Sequence, residues 1–224
     1  MKKNITAKYK GVIFDLDGVI VHTDKMHYAA WKSLADRLEI PFDEEVNNRL
    51  RGVSRTESLE IILERSAQVY SDAQKLRFSE EKNESYLRYL DGLSPHDVSP
   101  EVIDTLRLLK GAGLKIAIGS SSKNAKTILK NVGLTDFFDA VSDGTNIEKT
   151  KPDPEVFLKA AAMLRLAPSE CAVVEDAITG IEAAVRGGFT AIAIGNAASS
   201  NKAEFNITSI SELQKIILGD IYAE

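Results

Sequence analysis

Val12-Ile13-Phe14-Asp15-Leu16-Asp17-Gly18 is the stretch whose reading decides the rest. Three apolar residues running into two acids and a glycine mark a short buried strand that ends in a polar loop. The same kind of segment recurs at Leu114-Lys115-Ile116-Ala117-Ile118, at Cys171-Ala172-Val173-Val174 and at Thr190-Ala191-Ile192-Ala193-Ile194. A weaker one is Asp139-Ala140-Val141-Ser142. Amphipathic stretches separate them. From Pro154 to Leu164, for instance, Val156, Phe157, Ala160, Ala161 and Leu164 share one helical face. Gly111 and Gly113 end a helix before residue 114, and Gly187-Gly188 ends one before residue 190. Short apolar strands alternating with helices predict an α/β fold, a Rossmann-like doubly wound parallel sheet covered on both faces.

Residues 24–95 break this rhythm. Tyr28, Trp31, Leu34, Ala35 and Leu38 fall at helical steps, as do Leu59, Ile62 and Leu63, and then Tyr86, Leu87 and Leu90. With no convincing strand among them, they predict a helical domain inserted after the first strand. The core domain is then 1–23 and 96–224, and a chain of 224 residues suits that division.

Bulk properties narrow the function. The net charge of -5 is spread along the chain, and no basic block offers a nucleic acid its counter-charges. No apolar run approaches the ~20 residues of a membrane span, and no apolar signal core follows the basic Lys2, Lys3, Lys8 and Lys10. A cytoplasmic monomer with a small-molecule partner, and neither nucleic acid nor membrane, is expected. The single cysteine, Cys171, excludes an internal disulfide and reads as a buried thiol, since no histidine is an obvious catalytic partner for it.

Four motifs follow predicted strands at their C-terminal ends, where open α/β sheets build their sites. In Asp15-Leu16-Asp17-Gly18 the two carboxylates can face one crevice, one to attack phosphorus and one to move a proton. Gly18 permits a sharp turn, although such a motif also begins ordinary loops. Ser120-Ser121-Ser122-Lys123-Asn124 precedes an amphipathic helix and can seat a phosphate. A simple helix cap explains one of its serines well and three less well. In Lys151-Pro152-Asp153-Pro154 the prolines stiffen a helix entry and can hold the lysine in place, though a lysine before proline is commonly only surface. Glu175-Asp176 invites a hard cation such as Mg²⁺, though paired acids are often only solvated charge.

The order of these motifs resembles the haloacid dehalogenase superfamily over essentially the whole chain. The resemblance implies that Asp15 is a nucleophile carrying an aspartyl phosphate. Asp17 is implied as general acid/base and as a backbone-carbonyl ligand to Mg²⁺. Glu175 and Asp176 complete the implied metal set with Asp15 and Asp17, Ser120 binds the phosphoryl group, and Lys151 balances its charge. The helical insert resembles the superfamily's four-helix cap.

Within the superfamily the β-phosphoglucomutase subgroup is the better match. The run Phe14 to Ile20, with Thr23, His27 and Trp31 after it, follows that subgroup's pattern. Arg51-Gly52-Val53-Ser54-Arg55 resembles its substrate loop, Lys82-Asn83 a cap pair, and Ser120 to Asn124 its phosphate loop. Phosphoglycolate-type phosphatases share the core motifs but usually lack the Gly-Val-Ser-Arg and Ser-Lys-Asn continuations. The resemblance implies substrate or phosphate contacts at His27, Trp31, Arg51, Gly52, Val53, Ser54, Arg55, Lys82, Ser120, Ser121, Ser122, Lys123, Asn124 and Lys151. Trp31 equally fits the core of the cap. The implied reaction interconverts β-D-glucose 1-phosphate and β-D-glucose 6-phosphate through β-glucose 1,6-bisphosphate. In it Arg55, Ser122 and Asn124 hold the non-reacting phosphate, while His27 and Lys82 couple cap closure to Asp17.

Rival readings are a sugar-phosphate or phosphoglycolate-like phosphatase with the same nucleophile, a non-catalytic phosphosugar-binding protein, and a metal-binding interaction module. The last leaves Lys151 and the serine loop without a role. The chain departs from the subgroup at Val21, His22, Arg51 and Ala177-Ile178. Arg51 keeps the charge of the usual lysine but changes its hydrogen-bond geometry.

Overall fold

Gly11–Phe14 forms strand β1 at the centre of the sheet, with every residue buried. The other strands are β2 (Lys115–Gly119), β3 (Ala140–Ser142), β4 (Cys171–Glu175), β5 (Thr190–Ala193) and β6 (Phe205–Asn206). All pair in parallel, in the order β3-β2-β1-β4-β5-β6. This is a computed structural model, and it describes residues 8–199 and 201–219; Lys2 and Lys3 of the basic N-terminus lie outside them.

Side chains alternate across the sheet, and the two faces bury different partners. Val12, Phe14, Ile116, Ile118 and Val174 pack on one side with Leu106, Leu109, Ile128 and Leu129. Ile13, Ala117, Cys171 and Val173 pack on the other with Val156, Phe157, Ala160 and Ile181. Each large side chain so buried contributes roughly 1.5–3 kcal/mol by leaving water. Cys171 lies inside this second layer as a free, buried thiol.

Four helices lie between β1 and the next part of the sheet: α1 (Asp24–Arg37), α2 (Glu44–Arg49), α3 (Arg55–Leu63) and α4 (Asp72–Leu90). They enclose a core of their own, with Trp31, Leu34, Ile40, Phe42, Val46, Leu59 and Ile62 buried together. The sheet is then flanked by α5 (Pro100–Gly111), α6 (Ala125–Asn131), α7 (Glu155–Leu164) and α8 (Ile178–Arg186). Among the described residues, no helix is long and apolar enough to cross a membrane.

Two elements escaped the sequence reading. The edge strand β6 has only two residues, and α2 is a six-residue polar helix with a single buried side chain, Val46. Neither has enough apolar residues to show a period.

Register positions the site. Phe14 lies opposite Ile118 on one side and Val174 on the other. Asp15, Ser120 and Glu175 therefore leave the sheet at nearly the same level, from three adjacent strands.

Candidate active site

Asp15 is the first residue beyond β1, and its N–H continues the ladder to the Val174 carbonyl at 2.9 Å. Its carboxylate is buried and accepts from Lys151 Nζ at 2.5 Å, while the same ammonium donates to Glu175 at 2.8 Å. Lys151 is 1% exposed. Burial pulls its pKa down, but the charges of Asp15 and Glu175 outweigh that and hold it above its ordinary value. Burial pushes Asp15 up, against the opposing charge of Lys151.

Carboxylate oxygens of Asp15, Glu175 and Asp176 lie within 4.8 Å of one another, and all three residues are buried. Burial and the neighbouring charge of Asp15 raise Glu175 to about 7, and burial with Glu175 raises Asp176 to about 8. Such a concentration of anionic oxygens suits a hard divalent cation. Both Glu175 oxygens already accept from protein donors, one from Lys151 and the other from the Ala177 N–H at 3.1 Å. Among the described residues, Asp176 is engaged only by Arg51, at 3.5 Å, so Asp15 and Asp176 present the freer oxygens.

The Asp17 side chain stands apart from this cluster and accepts a short hydrogen bond from the Thr23 hydroxyl. The metal ligand that the resemblance implies at Asp17 is its backbone carbonyl, not this side chain. Burial, with the charge of Asp15, raises its carboxyl to about 7, which suits a group that gives and takes a proton near neutrality. Gly18 makes the turn with φ +86°, and an added Cβ would lie 2.2 Å from an Asp176 oxygen. The glycine lets the nucleophile loop and the acid pair close on each other.

In the serine loop, Ser120 Oγ accepts from the Ser122 N–H at 3.1 Å, and Ser122 Oγ from the Asn124 N–H at 3.2 Å. These two hydroxyls shape the loop itself. Ser121 instead donates to the Gly52 carbonyl of the helical insertion at 3.1 Å, and Asn124 donates to Asn83 on α4 at 2.9 Å. Lys123 lines the cleft.

The insertion meets this loop with Arg51 to Arg55. Thr179 donates to the Arg51 carbonyl at 3.3 Å. Gly52, with φ +76°, leaves no room for a side chain, because a Cβ would meet Thr179 Oγ1 at 2.3 Å. Val53 lines the cleft. Ser54 caps α3 in a reciprocal pair with Glu57. Arg55 also lines the cleft and, among the described residues, has no carboxylate partner. Deeper in, Lys82 bonds His27 Nδ1 at 2.9 Å and lies over the rings of Trp31 (4.8 Å) and Tyr86 (4.5 Å). Burial, then the charge of Arg55, lowers Lys82 to about 7. Burial and the Lys82 charge lower His27 well below its ordinary value, so His27 accepts as a neutral ring. Trp31 is buried in the insertion's core, as its place in the apolar stripe allows, with the Lys82 ammonium over its ring.

These groups border one cleft of about 990 Å³ between sheet and insertion, with Asp15 and Lys151 at the sheet side and Arg55 and Lys82 at the other. Thr23, Asp24, Thr179, Glu57 and Thr150 take part in the contacts around it and were not among the expected site residues. Thr23 stands in the subgroup's pattern, but nothing local announces its bond to Asp17, and Asp24 meets Arg51 within the insertion; the Thr179–Arg51 and Thr150–Glu57 contacts form only where the insertion meets the sheet domain. The departures at His22 and Val21 lie off the cleft lining, one exposed and one buried.

A model of the haloacid dehalogenase-like hydrolases matches residues 9–188. The chain belongs to that family. Within it, a β-phosphoglucomutase from Bacillus subtilis is 42% identical over 206 residues, 91% of each protein. A crystal structure of β-phosphoglucomutase from Clostridium difficile superposes with a TM-score of 0.88 at 35% identity, covering 96% of this chain and 97% of that one. A phosphorylated carbohydrates phosphatase from Thermotoga maritima is 29% identical over 82% of this chain and 83% of its own length. Family membership thus embraces both transfer to sugar and transfer to water, and the choice between them rests on the cleft.

Proposed function

We propose that the chain is a β-phosphoglucomutase, interconverting β-D-glucose 1-phosphate and β-D-glucose 6-phosphate. The observation that carries this reading is the pair of cationic ends in one cleft: Lys151 beside Asp15, and across from it Arg55, which has no acidic partner among the described residues. A phosphatase for monophosphates needs only the first. A bisphosphate intermediate needs both.

Asp15 attacks phosphorus, and the bond from phosphorus to the sugar oxygen breaks, leaving the phosphoryl group on Asp15. Asp17 gives its proton to the departing sugar oxygen and, in the reverse sense, takes one from the attacking hydroxyl. Lys151 and the Ser120 loop offset charge on the transferring group, the main need of phosphoryl transfer. Arg55, with Ser122 and Asn124, holds the phosphate that does not react, so the bisphosphate can leave, turn round and rebind. Asp15, Glu175 and Asp176, with the Asp17 carbonyl, would hold Mg²⁺, which supplies further neutralisation of the phosphoryl oxygens when bound. Residues 24–95 act as a cap domain whose closure excludes water, and the proposal includes a cytoplasmic, monomeric enzyme.

The test is a pair of assays on one panel of sugar phosphates. With β-glucose 1-phosphate, Mg²⁺ and a bisphosphate primer, glucose 6-phosphate should form with little inorganic phosphate. Free glucose and inorganic phosphate as main products would make the chain a sugar phosphatase instead.

A further inference from the structure

The insertion rests on the sheet domain at separate points. Arg51 and Gly52 meet Thr179 and Ser121, and Asn83 meets Asn124. A third contact is the Thr150 hydroxyl donating to Glu57 at 2.5 Å, across 93 residues of chain. Among these three, it alone lands on the loop that carries Lys151.

Both partners of that contact are held in place. Glu57 Oε2 also accepts from the Ser54 N–H at 2.9 Å and the Ser54 hydroxyl at 2.8 Å, the capping pair that opens α3 just before Arg55. Partial burial would raise the Glu57 carboxyl, but the Thr150 hydroxyl and the Ser54 donors outweigh it and hold it below its ordinary value. On the other side, the Glu155 carboxylate accepts from the N–H groups of Glu148 (3.1 Å) and Lys149 (2.7 Å), and Lys159 donates to the Asn146 carbonyl. The Asp153 N–H returns to the Thr150 carbonyl at 3.0 Å. The Thr150 hydroxyl is therefore presented from a stiffened loop, one residue from the ammonium that touches the nucleophile.

From this geometry we infer that Thr150 and Glu57 form a positioning latch, which keeps water from the phosphoryl group on Asp15 and so favours its transfer to sugar. The inference rests on the mutase reading above. When the contact forms, the start of α3, with Arg55, and the Lys151 loop close the same rim of the cleft. When it is broken, that rim opens beside Lys151. A hydrogen bond to a carboxylate at a partly exposed rim is modest, so the effect is about 3- to 10-fold rather than all-or-none.

Thr150→Val removes the donor, keeps the shape, and leaves the Ser54–Glu57 pair intact. Asp15 is loaded from acetyl phosphate, and the lifetime of the aspartyl phosphate in water is measured without sugar. Thr150→Val should shorten that lifetime by about 3- to 10-fold, Thr150→Ser should restore it, and the melting temperature should fall by no more than about 5 °C. In the full reaction, the ratio of inorganic phosphate to glucose 6-phosphate should rise by a similar factor. An unchanged lifetime and ratio overturn the latch, and so does a larger fall in melting temperature with both products reduced alike. A wild type that makes only inorganic phosphate overturns the mutase reading, while the lifetime still decides the latch.

Discussion

The guanidinium of Arg51 stands 3.5 Å from a carboxylate oxygen of Asp176, an acid of the buried cluster, while also pairing with Asp24 at 3.1 Å. A cation of the insertion thus leans on an acid of the sheet domain. It sits where it competes with any metal ion for the charge of Asp176. Arg51→Ala should therefore bind Mg²⁺ up to about 5-fold more tightly by titration calorimetry, with Arg51→Lys in between, since a partly exposed pair is worth up to about 1 kcal/mol. Weaker binding in Arg51→Ala would show that the arginine organises the acids rather than opposing the ion.

Activity should vanish with chelator and return with Mg²⁺. Ca²⁺ should inhibit, because its longer bonds and looser coordination misplace the phosphoryl group against Asp15. Equal rates with either ion, or with none, would contradict the acid cluster as a metal site.

Asp15→Asn should lower phosphoryl transfer to less than about a hundredth of wild type, because the isosteric amide is no nucleophile. Asp17→Asn should lose roughly 10²–10⁴-fold through slowed proton transfer. Mass spectrometry of trapped protein should find phosphate on residue 15 in the wild type and in Asp17→Asn, and none in Asp15→Asn.

Arg55→Ala should cost roughly 10- to 150-fold in kcat/KM for sugar phosphates, since bonds between charged groups are worth about 1.5–3 kcal/mol. Loading of Asp15 from acetyl phosphate should change little, because that donor has no second phosphate. Equal loss in both assays would make Arg55 a support of the cap's fold.

Lys82 gives a pH-dependent prediction. Its pKa falls to about 7 in the fold, through burial and then Arg55, from an unfolded value of about 10.4. Below pH 7 both states are protonated and the full cost of burying the charge is felt. Between 7 and about 10 only the unfolded state keeps the proton, so stability rises with pH. The rings of Trp31 and Tyr86 offset part of that cost. Lys82→Met should therefore stabilise by about 1–3 kcal/mol at pH 6 and by less at pH 9, read from urea unfolding. Catalysis should meanwhile fall with the loss of the His27 contact. A gain that grows with pH would contradict the shift.

Strands β1 to β5, and the loops after them that carry Asp15-Asp17, Lys151 and Glu175-Asp176, were legible in the sequence. Each depends on local order: alternating burial writes a period into the chain, and a loop after a strand stays beside that strand's end. Helices α1, α3 and α4 were legible for the same reason, and the polar α2 was not. β6 was not, because two residues carry no period.

What the tertiary structure alone decided is how the two parts of the cleft face each other. Arg51 on Asp176, Thr179 on Arg51, and Thr150 on Glu57 are pairs 125, 128 and 93 residues apart. Nothing in the residues near Thr150 says that a carboxylate will arrive there. The folding of the insertion over the sheet brings it, and with it the freedom of Arg55, which no sequence pattern can state. Residue types and short spacings set what chemistry the chain can do; the packing of one layer on another sets which charges meet and which are left for a substrate.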